Sequence, residues 1–222
     1  MTPAPLSFLR QRLPHRNKTA HLTTLPFVDF DGRRSFSITF VDQPALNSPS
    51  ITQTLPPNSK GKTSHFNPPP HYHVLQDEYF RVISGKGIWH LWDDTSVILE
   101  AGQEIRVPVR KYHWFQNCSD TEPLVVGHWY DEARVRMEEI FFRNVLSYFA
   151  DCLEMNVQPS KFQMALFGWN DLLVFGLVHT RFLPSAVEFV INIFICGVMA
   201  FIAKYLLGYK DSYAEYYKPA IN

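Results

Sequence analysis

Between residues 35 and 130 the chain is a series of short β-rich segments separated by turns, and this pattern constrains the fold most. The segments are rich in valine, isoleucine and aromatic residues, which favour strands. They are SFSITFV (35–41), EYFRVI (78–83), GIWHLW (87–92), SVILE (96–100), EIRVPV (104–109) and PLVVGHWY (123–130). Turn sequences such as SGKG, WDDT and EAGQ lie between them. Many short strands without intervening helices predict a sandwich or a barrel.

The pattern changes after about Asp131. In the segment 131–156 apolar residues recur at three- and four-residue steps, which predicts an amphipathic helix, and its acidic start suits the helix dipole. The segment 186–208 is almost continuously apolar from Phe189 to Ala203. We therefore expect three parts. They are a disordered basic tail over residues 1–22, a barrel over residues 23–130 and a helical extension over residues 131–222.

Charge, cysteine content and the N-terminus exclude several classes of protein. The 21 Lys and Arg residues balance the 21 Asp and Glu residues, so no nucleic-acid partner is expected. The three cysteines, Cys118, Cys152 and Cys196, are odd in number and widely spaced, which fits a reducing compartment rather than a disulfide framework or a zinc finger. The first 22 residues contain early prolines and no apolar core of a signal peptide. An intracellular protein that is not secreted is predicted.

The apolar segment 186–208 has two interpretations. About 20 apolar residues are enough to cross a bilayer, and the tyrosines that follow resemble those found at a membrane interface. Glu188, Asn192 and Lys204 argue against a span. Membrane association through this segment is one prediction. The other is a buried helix that packs on residues 161–180 or across a homodimer.

Four side chains form a pattern suited to a single divalent metal. Residues two apart on a strand share a face, so His71 and His73 can bind one ion together. Glu78 lies five residues beyond His73, so a reversal within VLQD has to return it on the adjacent strand. His113 comes from a later strand. Three imidazoles and one carboxylate suit Fe²⁺, Mn²⁺, Ni²⁺, Zn²⁺ or Cu²⁺, with Fe²⁺ favoured, and about two octahedral positions stay open for substrate, water or O₂.

The spacing of these residues resembles the two signature motifs of the cupin superfamily. The motifs read H-x-H-x4-E-x6-G and G-x5-P-x4-H-x3-N, and the matching residues are His71, His73, Glu78, Gly85, Gly102, Pro108, His113 and Asn117. Arg110 stands where the second motif usually has a glycine. The resemblance implies a mainly β fold: a single cupin barrel (a double-stranded β-helix or jelly roll) with an α-helical C-terminal extension. It also implies that His71, His73, Glu78 and His113 bind the metal.

A subset of fungal cupin proteins, some in natural-product gene clusters, is similar in joining PPPHYH to a helical tail that ends in GYKDSYAEYY. That resemblance implies oxidative or rearrangement chemistry on a small aromatic or polyketide-like molecule. A metal-dependent oxidoreductase, for example a dioxygenase of secondary metabolism, is the preferred hypothesis. Two alternatives stay open: a redox-neutral isomerase, cyclase or dehydratase, and a non-catalytic ligand-binding cupin.

Three side chains are candidates for acid–base catalysis. They are Glu78, which can detach from the metal to act as a base, and Tyr79 and His90, which can exchange protons or hydrogen bonds with a substrate. A wider set of rings is expected to line an aromatic pocket or to pack in the barrel. This set contains Tyr72, Tyr79, His90, Trp92, Trp114, Phe115 and His128.

Overall fold

A computed structural model describes residues 4–28, 35–42, 44–58, 64–130, 135–180 and 182–219. The chain divides into two compact units. Residues 23–139 form what we call the barrel unit. Residues 1–22 and 140–222 together form the helical unit.

The barrel unit consists of two antiparallel sheets. Its strands, in chain order, are β1 (Thr24–Val28), β2 (Ser35–Phe40), β3 (Ile51–Leu55), β4 (His71–His73), β5 (Glu78–Ser84), β6 (Lys86–Leu91), β7 (Ser96–Glu100), β8 (Glu104–Val107), β9 (His113–Asn117) and β10 (Leu124–Trp129). One sheet has the order β1-β2-β3-β10-β5-β8, and the second contains the run β4-β9-β6-β7. The mainly β barrel expected from the sequence is therefore confirmed.

Alternating burial explains why these segments form strands around a core. In β2 every second residue is buried, so Phe36, Ile38 and Phe40 point inward while their neighbours lie nearer solvent. Phe36, Phe27 and Phe66 pack as a cluster of three rings, with centroids 6.1 Å (Phe27–Phe36), 5.1 Å (Phe36–Phe66) and 5.3 Å (Phe27–Phe66) apart. Burying one such side chain stabilises the fold by about 2 kcal/mol. The predicted segments match the observed strands to within two residues at each end, and β8 ends where proline has no N–H to donate.

Within the described residues the helical unit contains a short 3-10 helix (Ser7–Leu9), three longer helices and a short strand. The longer helices and the strand are α1 (Val135–Glu154, whose first turn belongs to the barrel unit), α2 (Lys161–Asn170), β11 (Leu173–Phe175) and α3 (Ser185–Phe201), which continues as a π-helical turn over Ile202–Leu206. Tyr148, Phe167 and Tyr216 lie at the centre of its core. The α-helical C-terminal extension expected from the sequence is present. Asp131–Arg134, expected to open the first helix, lie outside the described residues.

Residues 4–22 pack in the helical unit, which differs from the disordered tail expected for residues 1–22. The Asn17 side-chain amide donates to buried Asp151 at 2.7 Å. Thr19 N–H donates to the Glu215 carbonyl at 2.8 Å, and Arg143 donates to the Leu22 carbonyl at 2.9 Å. These partners come from residues more than a hundred positions away, so the local proline-rich sequence does not reveal them.

Helix α3 has its polar residues turned inward. Glu188 and Asn192 are 2% and 0% exposed, and Asn192 bonds both the N–H and the carbonyl of Val178. The opposite face exposes large apolar side chains at helical spacing: Val187, Val190, Phe194, Val198 and Phe201. Within Ser185–Leu206, an 18-residue window has a mean hydropathy of 2.3, and 28% of that window is buried. By length and composition alone this helix is sufficient to cross a membrane.

Candidate metal centre

Two neighbouring strands of one sheet place the three candidate histidine ligands. Strands β4 and β9 pair so that His71 lies directly opposite His113, and His73 follows on the same face of β4. The Nδ1–H groups of His71 and His113 donate to the carbonyls of Pro69 and Lys111, at 2.8 Å and 3.0 Å. These bonds leave the Nε2 lone pair of each ring free for a metal.

The fourth candidate, Glu78, comes from the other sheet. It opens β5, which pairs with β8 and β10, whereas β4 pairs with β9. The chain reverses after His73, as expected. Glu78 then lies on a strand of the opposite sheet, not on the strand adjacent to β4. Its Oε2 lies 2.8 Å from His113 Nε2, 3.0 Å from His73 Nε2 and 3.8 Å from His71 Nε2.

The spacing of these four side chains fits one metal ion. Their ligand atoms all lie within 4.8 Å of one another, and all four residues are buried. Two ligands at right angles, each about 2.1 Å from an ion, are about 3 Å apart. The pairs His71–His73, His73–Glu78 and His113–Glu78 are separated by 3.1, 3.0 and 2.8 Å. The cluster is therefore compatible with a single divalent ion.

The protonation states also suit a metal. Burial, reinforced by the charge of nearby His113, lowers the pKa of His71 to about 4, so its ring is neutral near pH 7. Burial by itself raises the pKa of Glu78. The charge of His73 and the hydrogen bonds from His113, His71 and His73 outweigh burial and hold that pKa well below its usual range. A neutral imidazole and an ionised carboxylate are the forms that ligate metals.

Aromatic side chains surround the cluster inside the barrel. Phe80 lies edge-on to Trp89 and Phe115, whose rings stack on each other with centroids 5.2 Å apart. The Phe80 ring centroid is 6.2 Å from that of His113, and the Tyr130 ring meets His73 edge-on at 5.0 Å. Phe80, Trp89 and Phe115 are 1%, 0% and 2% exposed, so these rings pack as part of the barrel core beside the cluster.

The structure does not bring Tyr79 and His90 to the cluster. Tyr79 follows Glu78 on β5 and so points to the opposite face of the sheet, where it stacks on Trp129 at 5.5 Å. His90 pairs with Trp114, the neighbour of His113, and its ring stacks on Trp114 at 3.8 Å on the outer face. Their position gives no support to the catalytic roles predicted from the sequence.

Several buried polar residues near the cluster were missed by sequence reasoning. The Gln76 amide lies 3.3 Å from His73 Nδ1, and His128 Nδ1 lies 3.8 Å from Glu78 Oε1. Glu138 lies 2.8 Å from the same His128 nitrogen. His128 was expected only as a pocket or packing residue. Glu138 gave no signal, because an acidic residue in the first turn of a helix is already explained by the helix dipole.

The framework residues of the two motifs shape the turns that hold the ligands. Gly85 and Gly102 have φ angles of 83° and 85°, which glycine adopts without strain. Arg110 also has a positive φ, 62°, and its N–H donates to the His73 carbonyl at 2.7 Å. The turn therefore forms with arginine in place of glycine, at a conformational cost of about 1 kcal/mol. Asn117 is buried and bonds the carbonyls of Pro56 and Glu122.

The barrel and its buried cluster define a small β-barrel protein with a candidate metal centre, and comparisons with known proteins agree. A family model described as Cupin domain matches residues 52–130. The "Probable oxidoreductase virH" of Hypocrea virens is 33% identical over 157 residues, which cover 68% of this chain and 68% of the relative. The chain belongs to the cupin superfamily.

Two further relatives carry names of the same kind. "Oxidoreductase iacF" of Pestalotiopsis fici is 35% identical over 105 residues, covering 45% of this chain and 51% of the relative. "Oxidoreductase OpS7" of Beauveria bassiana is 26% identical over 215 residues, covering 86% of this chain and 70% of the relative. Each name gives the class oxidoreductase, and none gives a substrate.

Proposed function

We propose that this protein is a metal-dependent oxidoreductase that acts on a small organic molecule, with dioxygen as the oxidant. The observation that carries the proposal is the buried cluster of His71, His73, Glu78 and His113 in a cupin barrel. The oxidoreductase names of its relatives support the same class of reaction. A dioxygenase fits because it places both oxygen atoms in the product and needs no separate reductant.

The four side chains would hold Fe²⁺ or a related ion, and three of them have a defined part. The two histidines whose Nδ1–H groups bond backbone carbonyls are fixed in orientation, and Glu78 supplies the negative charge. A bound metal of this kind supplies Lewis-acid or redox chemistry at the positions that the protein leaves open. We propose an aromatic or polyketide-like molecule of secondary metabolism as the substrate, as the resemblance of the sequence to fungal cupin proteins implies.

An oxygen electrode tests the reaction class. We expect the Fe²⁺-loaded protein to consume dissolved O₂ when a substrate is found in a panel of phenols and polyketide-like compounds. Product made under ¹⁸O₂ should carry label, and the Glu78→Ala variant should lose at least about a hundredfold in rate, because it removes the only carboxylate of the cluster. Product formation at an undiminished rate without oxygen would contradict the proposal and favour the redox-neutral isomerase, cyclase or dehydratase.

We also propose that α3 contacts a lipid surface with its exposed apolar face. Within residues 186–203 the only charged side chain, Glu188, is turned inward and bonds His179 and Thr180. A helix with bulky apolar residues outside and polar or small residues inside is typical of one that faces lipid. The hydrogen bonds of Asn192 with Val178 and of Glu188 with His179 hold the polar face of α3 inside the helical unit, which leaves the apolar face for lipid.

Flotation with vesicles tests the lipid contact. We expect the full-length chain to float with phosphatidylcholine–phosphatidylserine vesicles and to lose at least about tenfold in binding in the Phe194→Ser, Phe201→Ser double variant, which removes two exposed rings. The control is Ile98→Ser, which removes an exposed apolar side chain from the barrel unit. A wild-type protein that does not float and elutes as a dimer would instead support the homodimer.

A further inference from the structure

A buried carboxylate and a buried histidine lie directly behind Glu78, and the proposed reaction does not use them. His128 on β10 and Glu138 in the first turn of α1 are both 0% exposed. His128 Nδ1 lies 2.8 Å from Glu138 Oε1 and 3.8 Å from Glu78 Oε1. One edge of the imidazole therefore faces two carboxylates, of which only one belongs to the candidate ligands.

Both members of this pair are held by further polar groups. Ser50 Oγ donates to Glu138 Oε2 at 2.6 Å, so each oxygen of that carboxylate has a neighbour. The Gln53 side-chain amide nitrogen lies 2.9 Å from His128 Nε2. An amide that donates there places the ring hydrogen on Nδ1, the nitrogen that faces the carboxylates. Because a buried carboxylate is costly without such partners, this arrangement fixes the orientation of both side chains.

The two oxygens of Glu78 have separate surroundings. Oε2 faces the Nε2 atoms of His71, His73 and His113, whereas Oε1 is turned toward His128. A carboxylate that binds a metal through one oxygen occupies one coordination position, and one that binds through both occupies two. Whatever orients Oε1 therefore decides how many positions remain for substrate.

We propose that Glu138 and His128 are positioning residues that keep Glu78 bound to the metal through Oε2 alone. His128 attracts Oε1 away from the metal, and Glu138, held by Ser50, keeps the His128 ring in that orientation. The inference rests on the proposed metal centre. It adds two residues, His128 on β10 and Glu138 at the start of α1, that control how many coordination positions of that centre stay open.

Titration of the full-length, metal-free protein with Co²⁺ tests the proposal without any turnover. Glu138→Gln keeps the shape of the side chain and its contact with Ser50 but removes the charge that holds His128. We expect Co²⁺ affinity to fall by about 10- to 100-fold, the usual effect of losing an outer-sphere partner. The visible absorption of bound Co²⁺, which reports coordination number, should also change. Ser50→Ala, a milder variant that keeps both Glu138 and His128, should shift affinity in the same direction.

The matched control is Glu188→Gln in the helical unit. Glu188 is also a buried carboxylate paired with a histidine, with His179 Nδ1 3.0 Å from its Oε2. This control should lose stability and keep wild-type Co²⁺ affinity and absorption. Wild-type affinity and an unchanged spectrum in folded Glu138→Gln or Ser50→Ala protein would overturn the positioning role alone. A wild-type protein that binds no stoichiometric Co²⁺ would overturn the metal centre and this inference together.

Discussion

Purified His113→Ala protein is expected to contain less than about one tenth of the metal bound by the wild type. Losing an outer-sphere partner weakens metal binding by about 10- to 100-fold, and losing a ligand weakens it more. His113 is 0% exposed, lies opposite His71 and approaches Glu78 Oε2 at 2.8 Å. Alanine removes one of four ligands and leaves Glu78 with fewer compensating partners. Elemental analysis of protein purified without chelator measures the metal content directly.

The control for this experiment is His90→Ala. It removes an imidazole from the same sheet, but from the outer face, where the ring stacks on Trp114. Metal content should be unchanged in this variant. Equal metal in the His113→Ala and wild-type proteins, with both folded, would show that the four-residue cluster is not the binding site.

Gly85→Ala is expected to destabilise the barrel unit by at least about 3 kcal/mol, because strain and steric overlap act together. Gly85 has a φ of 83°, and a Cβ at that position would lie 2.3 Å from the backbone carbonyl oxygen of Pro123. A backbone oxygen directly before the paired strand β10 cannot move aside as a flexible side chain can. The midpoint of urea unfolding, followed by tryptophan fluorescence, measures the loss.

Gly102→Ala separates the two causes. Gly102 has nearly the same φ, 85°, but a Cβ there would meet nothing within 4 Å. Only the conformational cost remains, and we expect a loss of about 1 kcal/mol. Equal losses in the two variants would mean that the contact with Pro123 relaxes without cost.

Six of the ten described strands of the barrel unit and the order of the candidate ligands could be predicted, because both depend on local pattern. Alternation of apolar and polar residues defines β2, and it also places His71 with His73 on one face. The reversal of the chain before Glu78 could be predicted from spacing alone. Glu78 lies five residues beyond His73, and on a straight strand it would point to the opposite face. Which sheet Glu78 would join could not be predicted, because that depends on how the two sheets pack.

The same alternation also contains information that the sequence interpretation did not use. Tyr79 is adjacent to Glu78, and His90 pairs with the neighbour of His113, so neither can share a face with the ligands. Glu138 is the opposite case. Its contact with His128 joins a helix to a strand across a segment outside the described residues, and no periodicity in either element predicts it.

For a related reason, the sequence could not predict which face of α3 is exposed. The composition of residues 186–208 showed a strongly apolar helix, but not which side of it meets the rest of the unit. That choice depends on the hydrogen bonds of Asn192 with Val178 and of Glu188 with His179, which form only after the chain has folded back.

The division of the ligands between two sheets links metal binding to the closure of the barrel. His71, His73 and His113 move with one sheet and Glu78 moves with the other, so an ion bound by all four closes a ring that runs through both. An ion that binds only the closed form adds RT ln(1 + [M]/Kd) to the free energy of unfolding. Opening of the barrel and release of the ion thus become a single thermodynamic event, and the metal concentration around the protein sets how often it occurs.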